Sequence, residues 1–150
     1  MGRRLIGLVL VATLGGCAGM PDGQMGKGDM MASKSLYERL GGKPAITAVV
    51  DDFVANVAAD SRISFRFANA NVPRLKMLLV DQVCEATGGP CKYTGKDMRA
   101  AHAGMQISDA EFTALAEDLT RSLDKFKVPD REKTELLGAI GGLRSQVVNQ

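Results

Sequence analysis

The chain carries one histidine, His102, and three cysteines, Cys17, Cys84 and Cys91. These residue types bound the metal chemistry open to it. Catalytic zinc sites of the multi-histidine kind need two or three imidazoles, and structural sites need four Cys or His ligands. One imidazole excludes the first and leaves little room for the second. On composition alone, a lone His on a short helix is more often a surface or satisfied core residue than a ligand. No general base, nucleophile or second metal site is evident in the rest of the chain.

Cys84 and Cys91 stand seven residues apart, with Gly88-Gly89-Pro90 between them. On one continuous helix their Cα atoms would be about 10 Å apart. A bridge needs less than about 7 Å. The Gly-Gly-Pro run breaks the helix and lets the chain fold back. Three outcomes are open: a structural disulfide, two buried thiols, or a redox-active pair. An oxidising compartment favours the disulfide. Closing so small a loop stabilises by about 2.5 kcal/mol in the chain-entropy account.

The N-terminus supplies the reason to expect such a compartment. Arg3-Arg4 precede an apolar run from Leu5 to Leu14, then Gly15-Gly16-Cys17. A basic end, a short apolar stretch and small residues form a secretory signal. The run is too short to span a bilayer, which takes about 20 residues. Leu14-Gly15-Gly16-Cys17 resembles the bacterial lipobox, in which the cysteine is acylated and becomes the new N-terminus. The expectation is a signal peptide over 1–16 and a lipidated Cys17, giving an exported lipoprotein anchored to a membrane and facing the periplasm. A tether over 17–33 follows, rich in Gly and Met. Met20, Met25, Met30 and Met31 are soft thioether ligands in principle. Their irregular spacing reads more simply as linker.

The chain has 150 residues, 45% of them hydrophobic, and 19 Lys+Arg face 17 Asp+Glu. That suffices for one domain with a core. A net charge of +2 gives no nucleic-acid footprint. Both excess positive charges, Arg3 and Arg4, belong to the signal, so the rest is formally neutral.

From Lys34 onward the periodicity is helical. Ile46, Val49, Val50, Phe53 and Val57 recur at helical spacing behind Gly41-Gly42 and Pro44. Asp60 to Asn71 is irregular, with Phe65 and Phe67 as apolar anchors. Asn71 and Pro73 open a second helix carrying Leu75, Leu78, Leu79 and Val83, which Gly88-Gly89-Pro90 must end. A short helix after Asp97 holds Met98, Ala101 and His102. Ser108-Asp109-Ala110-Glu111 is a capping box. Behind it run Phe112, Leu115, Ala116, Leu119, Leu123 and Phe126. Pro129-Asp130 starts a last helix with Leu136, Leu137, Ile140, Leu143 and Val147. Gly141-Gly142 weakens its middle by about 1 kcal/mol per glycine. No strand is expected, and the domain over 34–150 is all-α.

Several strings together resemble the truncated haemoglobins, and group I most closely. They are Ser35-Leu36-Tyr37-Glu38-Arg39-Leu40-Gly41-Gly42, Val50-Asp51-Asp52-Phe53, Thr87-Gly88-Gly89-Pro90, Tyr93-Thr94-Gly95 and Met98 with Ala101-His102-Ala103-Gly104. They fall in the family's order and cover nearly all of Ser35 to Val148. The lack of Trp agrees, because groups II and III usually carry one after the proximal histidine. The resemblance implies a two-over-two helical sandwich around haem b, with His102 as the proximal iron ligand. It implies ring contacts from Phe67, and from Phe53, Met98, Ile107 and Leu115 as wall positions. Arg74, and also Lys76 and Arg99, are candidates for the haem propionates; each also reads as solvated surface charge.

The far side of the implied pocket departs from the family. Group I proteins usually hold O2 with a tyrosine where this chain has Val54. They often add glutamine at the positions matching Leu75 and Leu79. All three are aliphatic here. A donor to a charged acceptor contributes roughly 1–3 kcal/mol, so its loss speeds O2 release roughly 5- to 150-fold. Gln82 lies a turn beyond Leu79 and offers a displaced donor, or simply faces solvent. The implied function is a haem globin that binds O2, NO or CO in an apolar pocket. A haem-based sensor, an electron-transfer protein with an unnamed redox partner, and a nitric oxide dioxygenase are the alternatives. The last is disfavoured by the missing tyrosine.

Overall fold

The computed structural model describes residues 34–150. The expected signal peptide, lipidated Cys17 and tether fall outside the described residues. Ser35 opens the fold with a capping box: its hydroxyl accepts from the Glu38 N–H while the Glu38 carboxylate accepts from the Ser35 N–H. That starts α1, Leu36–Arg39. Gly41, at φ 95°, turns the chain into α2, Gly42–Ala59. A left-handed φ there suits glycine.

α2 is the central helix. Its Ile46, Val49, Val50, Phe53, Val54 and Val57 are all buried. A 3-10 turn, Ser64–Phe67, follows. Asn71 accepts from the Arg74 N–H, and with Pro73 in the first turn it starts α3, Val72–Ala86. Asp97 caps the short α4, Met98–His102. Ser108 and Glu111 form the expected capping box of α5, Asp109–Lys125. α6, Asp130–Gly141, and α7, Arg144–Val147, complete the order.

α2 packs chiefly against α3 and α5, and α5 packs against α6. Two helices thus lie over two, and their buried side chains form one core around Ile46, Val50, Leu119, Leu123 and Leu136. Polar ties fix the pairs. Asp52 of α2 accepts from Ser122 Oγ at 3.0 Å and pairs with Lys125 of α5. The lysine ammonium holds the Asp52 carboxyl below its ordinary range. Arg39 of α1 reaches Glu132 of α6 at 2.7 Å and also pairs with Glu135. Beyond α7, the Asn149 N–H donates to the Ile107 carbonyl at 2.9 Å and the Gln106 N–H to the Gln150 carbonyl at 3.0 Å. Among the described residues no helix is long and apolar enough to cross a membrane.

Four expectations need correction. The last helix is not continuous to Val147; it ends at Gly141, with Gly142 as its cap, and restarts as α7. Two successive glycines lack the side chains that hold a helix interior against solvent, so the pair ends α6 instead of merely weakening it. Asp60 to Asn71 is not wholly irregular, since it contains the 3-10 turn. Phe65 is no core anchor: it is 59% exposed, its ring 4.9 Å from the Arg66 guanidinium. Phe126 is the C-cap of α5, where the helical stripe stops, and is 43% exposed.

Cys84 and Cys91 form a disulfide, with Cα atoms 5.7 Å apart. Gly88, at φ 85°, makes the turn between them. A Cβ on Gly89 would lie 2.5 Å from the Tyr37 ring and 2.7 Å from Cys84 Sγ. Only glycine fits that close approach.

Candidate functional site

His102 ends α4 and is half-buried. Its Nδ1 lies 2.7 Å from the carbonyl oxygen of Met98, one turn back. A carbonyl can only accept, so Nδ1 carries a proton, and in the neutral ring Nε2 then holds the lone pair. The same backbone contact fixes the ring's orientation. Among the described residues no group of three or more His, Cys, Asp or Glu side chains could hold a metal. The donor set therefore fits one bond from one imidazole nitrogen.

His102 lines a cleft whose other walls are Ile63, Arg66, Phe67, Met105, Ile107, Glu111, Phe112, Leu115 and Val147. Apart from the Arg66–Glu111 pair, these walls are apolar. Imidazole plus apolar faces suits a flat hydrophobic cofactor whose metal accepts one protein nitrogen, which is what a haem presents. Phe67 comes from the 3-10 turn, Ile107 from the loop after α4, and Leu115 from α5.

The structure brings three of the sequence candidates, Phe67, Ile107 and Leu115, to His102. The other candidates do not line this cleft. Phe53 and Val54 are buried in the core between α2 and its neighbours. Leu79 packs on that core from α3, and Leu75 is half-buried on the same helix. Direct packing of α2 on α3 uses these apolar surfaces. Gln82 is not solvent-facing: it is half-buried, and its Nε2 donates to Met98 Sδ at 3.3 Å. Met98 is thereby held by α3 through its thioether and holds His102 through its carbonyl. Arg74 and Arg99 are exposed, while Lys76 pairs with Asp51 at 2.8 Å.

Six lining residues escaped sequence reasoning: Ile63, Arg66, Met105, Glu111, Phe112 and Val147. Phe112 and Val147 do show in the helical stripes, but a stripe does not say which cavity it faces. Arg66 is the least legible. Its fork reaches Glu111, 45 positions away, at 2.7 and 3.2 Å. That guanidinium holds the Glu111 carboxyl at about 2, well below the usual range.

The bacterial-like globin sequence profile matches residues 35–149. The group 1 truncated hemoglobin GlbN of Mycolicibacterium paratuberculosis is 37% identical over 113 residues, covering 75% of this chain and 83% of that protein. The group 1 truncated hemoglobin of Tetrahymena pyriformis is 31% identical over 121 residues, covering 81% of this chain and all, 100%, of its own. The crystal structure of the Tetrahymena pyriformis protein in its Fe(III) form superimposes with a TM-score of 0.76 at 32% identity, over 78% of this chain and 100% of that one. The cyanomet 2/2 hemoglobin of Synechococcus, with covalently attached heme, gives 0.73 at 32% identity over the same 78% of this chain and 100% of its own.

Proposed function

Because the chain belongs to the bacterial-like globin family, among the group 1 truncated haemoglobins, we propose that it binds O2, NO or CO at a haem iron ligated by His102 and flanked by an apolar far side. Haem is the cofactor of this family. When bound it supplies the iron at which a gas coordinates and any redox chemistry that follows. The chain supplies the rest. Met98 O holds the Nδ1 proton of His102 and leaves Nε2 as the ligand nitrogen. Phe67, Ile107 and Leu115 give the ring apolar contact and exclude water. In our reading Met98 extends that wall, Phe53 backs it from the core, and Arg74 meets a propionate.

The observation that carries the proposal is the single imidazole, oriented by a backbone carbonyl, in an apolar cleft. Val54, Leu75 and Leu79 offer a gas no N–H or O–H. The Gln82 amide is engaged by Met98. O2 therefore leaves fast, and gases that need no hydrogen bond are favoured. Nitric oxide dioxygenation, which needs a held O2, is the weaker reading. A sensor or electron-transfer role uses the same pocket.

Arg3-Arg4, the Leu5 to Leu14 run and Leu14-Gly15-Gly16-Cys17 support the further proposal of an exported, lipid-anchored chain facing the periplasm. Intact mass of the membrane-extracted protein tests it.

The test of the haem reading is an absorption spectrum with and without added haem, for the unmodified chain and for His102→Ala. A Soret band that His102→Ala loses or shifts is expected. No Soret band in the unmodified chain overturns the reading.

A further inference from the structure

One charged side chain joins the two walls of the cleft, and gas binding does not use it. Arg66 sits in the 3-10 turn, next to Phe67. Its Nε donates to Glu111 Oε1 at 2.7 Å and its Nη2 to Oε2 at 3.2 Å. Its Nη1 donates to the Met105 carbonyl at 2.7 Å, and Nη2 reaches the Gln106 carbonyl at 3.5 Å. The turn bearing Phe67 is thus fastened to the segment just past His102 and to the first turn of α5. Glu111 is itself fixed, accepting from the Ser108 N–H at 2.7 Å and from Ser108 Oγ at 2.8 Å. Gln106 holds a left-handed φ of 49°, which presents its carbonyl beside that of Met105.

Both charged side chains are part-buried, 26% and 15% exposed, and both line the cleft with His102. A bidentate Arg–carboxylate pair in that setting escapes most of the screening that makes surface pairs weak. The two backbone acceptors add direction. Lysine has no fork and cannot reproduce the set.

We propose that Arg66 is a retention residue: it clasps the turn carrying Phe67 to the His102–Glu111 segment and so slows escape of the cofactor from the cleft. This rests on the reading that the cleft holds haem. A flat ligand that leaves between these walls has to part them, and parting them breaks the clasp. The clasp therefore enters the rate of loss. It need not enter the bond to His102.

The experiment is transfer of haem from the full chain to an excess of a haem-free acceptor globin, followed by absorbance. Arg66→Leu should raise the loss rate roughly 10- to 100-fold, the range for a charge-assisted pair at 1.4 kcal/mol per decade. Arg66→Lys should recover only part of it. Glu111→Gln keeps the capping box, which accepts Gln as readily as Glu, yet removes the charge facing Arg66. It should accelerate loss too. The double variant should be no faster than Arg66→Leu alone, because both changes open one clasp. Rates within about twofold of the unmodified chain in both single variants overturn the proposal. So does strict additivity. So does an equal acceleration in Gly89→Ala, which strains the chain away from the cleft and so marks a general loss of stability. Failure of the unmodified chain to take up haem overturns the functional reading itself, whereas bound haem indifferent to Arg66 overturns only the clasp.

Discussion

Replacing Cys84 and Cys91 together by alanine should lower the thermal midpoint of the chain by about 10 °C. The bond spans a sequence separation of 7. In the chain-entropy account a loop of that size contributes about 2.5 kcal/mol, by restricting the unfolded chain. A domain of this length unfolds with an entropy that converts 1 kcal/mol into about 4 °C. Alanine is the right replacement at Cys84, which is 0% exposed, because a serine hydroxyl there would add an unsatisfied polar group. Other ties hold the same turn in the folded state. The Gly89 N–H donates to the Cys84 carbonyl at 2.7 Å, the Tyr93 N–H to the Glu85 carboxylate at 2.9 Å, and Lys92 to Glu85 at 3.1 Å. The Tyr93 N–H in particular keeps the Glu85 carboxyl below its ordinary range. The folded turn should therefore survive, and the haem spectrum should barely move. The assay is helical circular dichroism on heating, for the oxidised chain, the reduced chain and the double variant, with the haem band read in parallel. A midpoint shift under about 3 °C refutes the magnitude. A large spectral change with a small midpoint shift refutes the reasoning, since the bond would then act on the native site.

Gly89→Ala should destabilise by about 1–3 kcal/mol in denaturant unfolding, because its Cβ meets Tyr37 and Cys84 at 2.5 and 2.7 Å. Glu111 makes stability depend on acid. Its folded carboxyl lies at about 2 against an ordinary 4.5, so its contribution is whole above about pH 4.5 and drains away as the pH falls through 2. Glu111→Gln should flatten that part of an acid-unfolding curve and leave the neutral-pH slope unchanged. Leu79→Gln restores a donor at the position implied by the family pattern and should slow O2 release roughly 5- to 150-fold in stopped-flow. An unchanged rate would place the gas away from α3.

Local signals carried most of the helix ends. Ser108 with Glu111, Asn71 with Pro73, and Asp97 each fix an N-terminus through a short-range hydrogen bond. These are visible because cap and acceptor are neighbours in sequence. The disulfide was also legible, since a Gly-Gly-Pro break leaves its two cysteines little freedom. What escaped was set at long range. Apolar spacing marks Phe65 and Phe126 as core residues, yet a turn and a helix end turn them outward. For Gln82 the sequence offers either a displaced donor or a solvent-facing side chain, because no pattern links it to Met98, 16 positions on. Arg66 and Glu111 look like ordinary surface charges until the fold brings them together.

Val147 lines the same cleft as Ile63 and His102, and the backbone after it is stitched to Gln106 and Ile107. The cleft is therefore complete only when the segment from α7 onward is in place. A nascent chain that has emerged only through α5 already displays the imidazole, Phe67 and Leu115, but its wall is missing one member and the Ile107 segment has no partner. Domains fold as units once their interacting parts exist. A chain cut inside α6 would therefore present helices without a closed pocket.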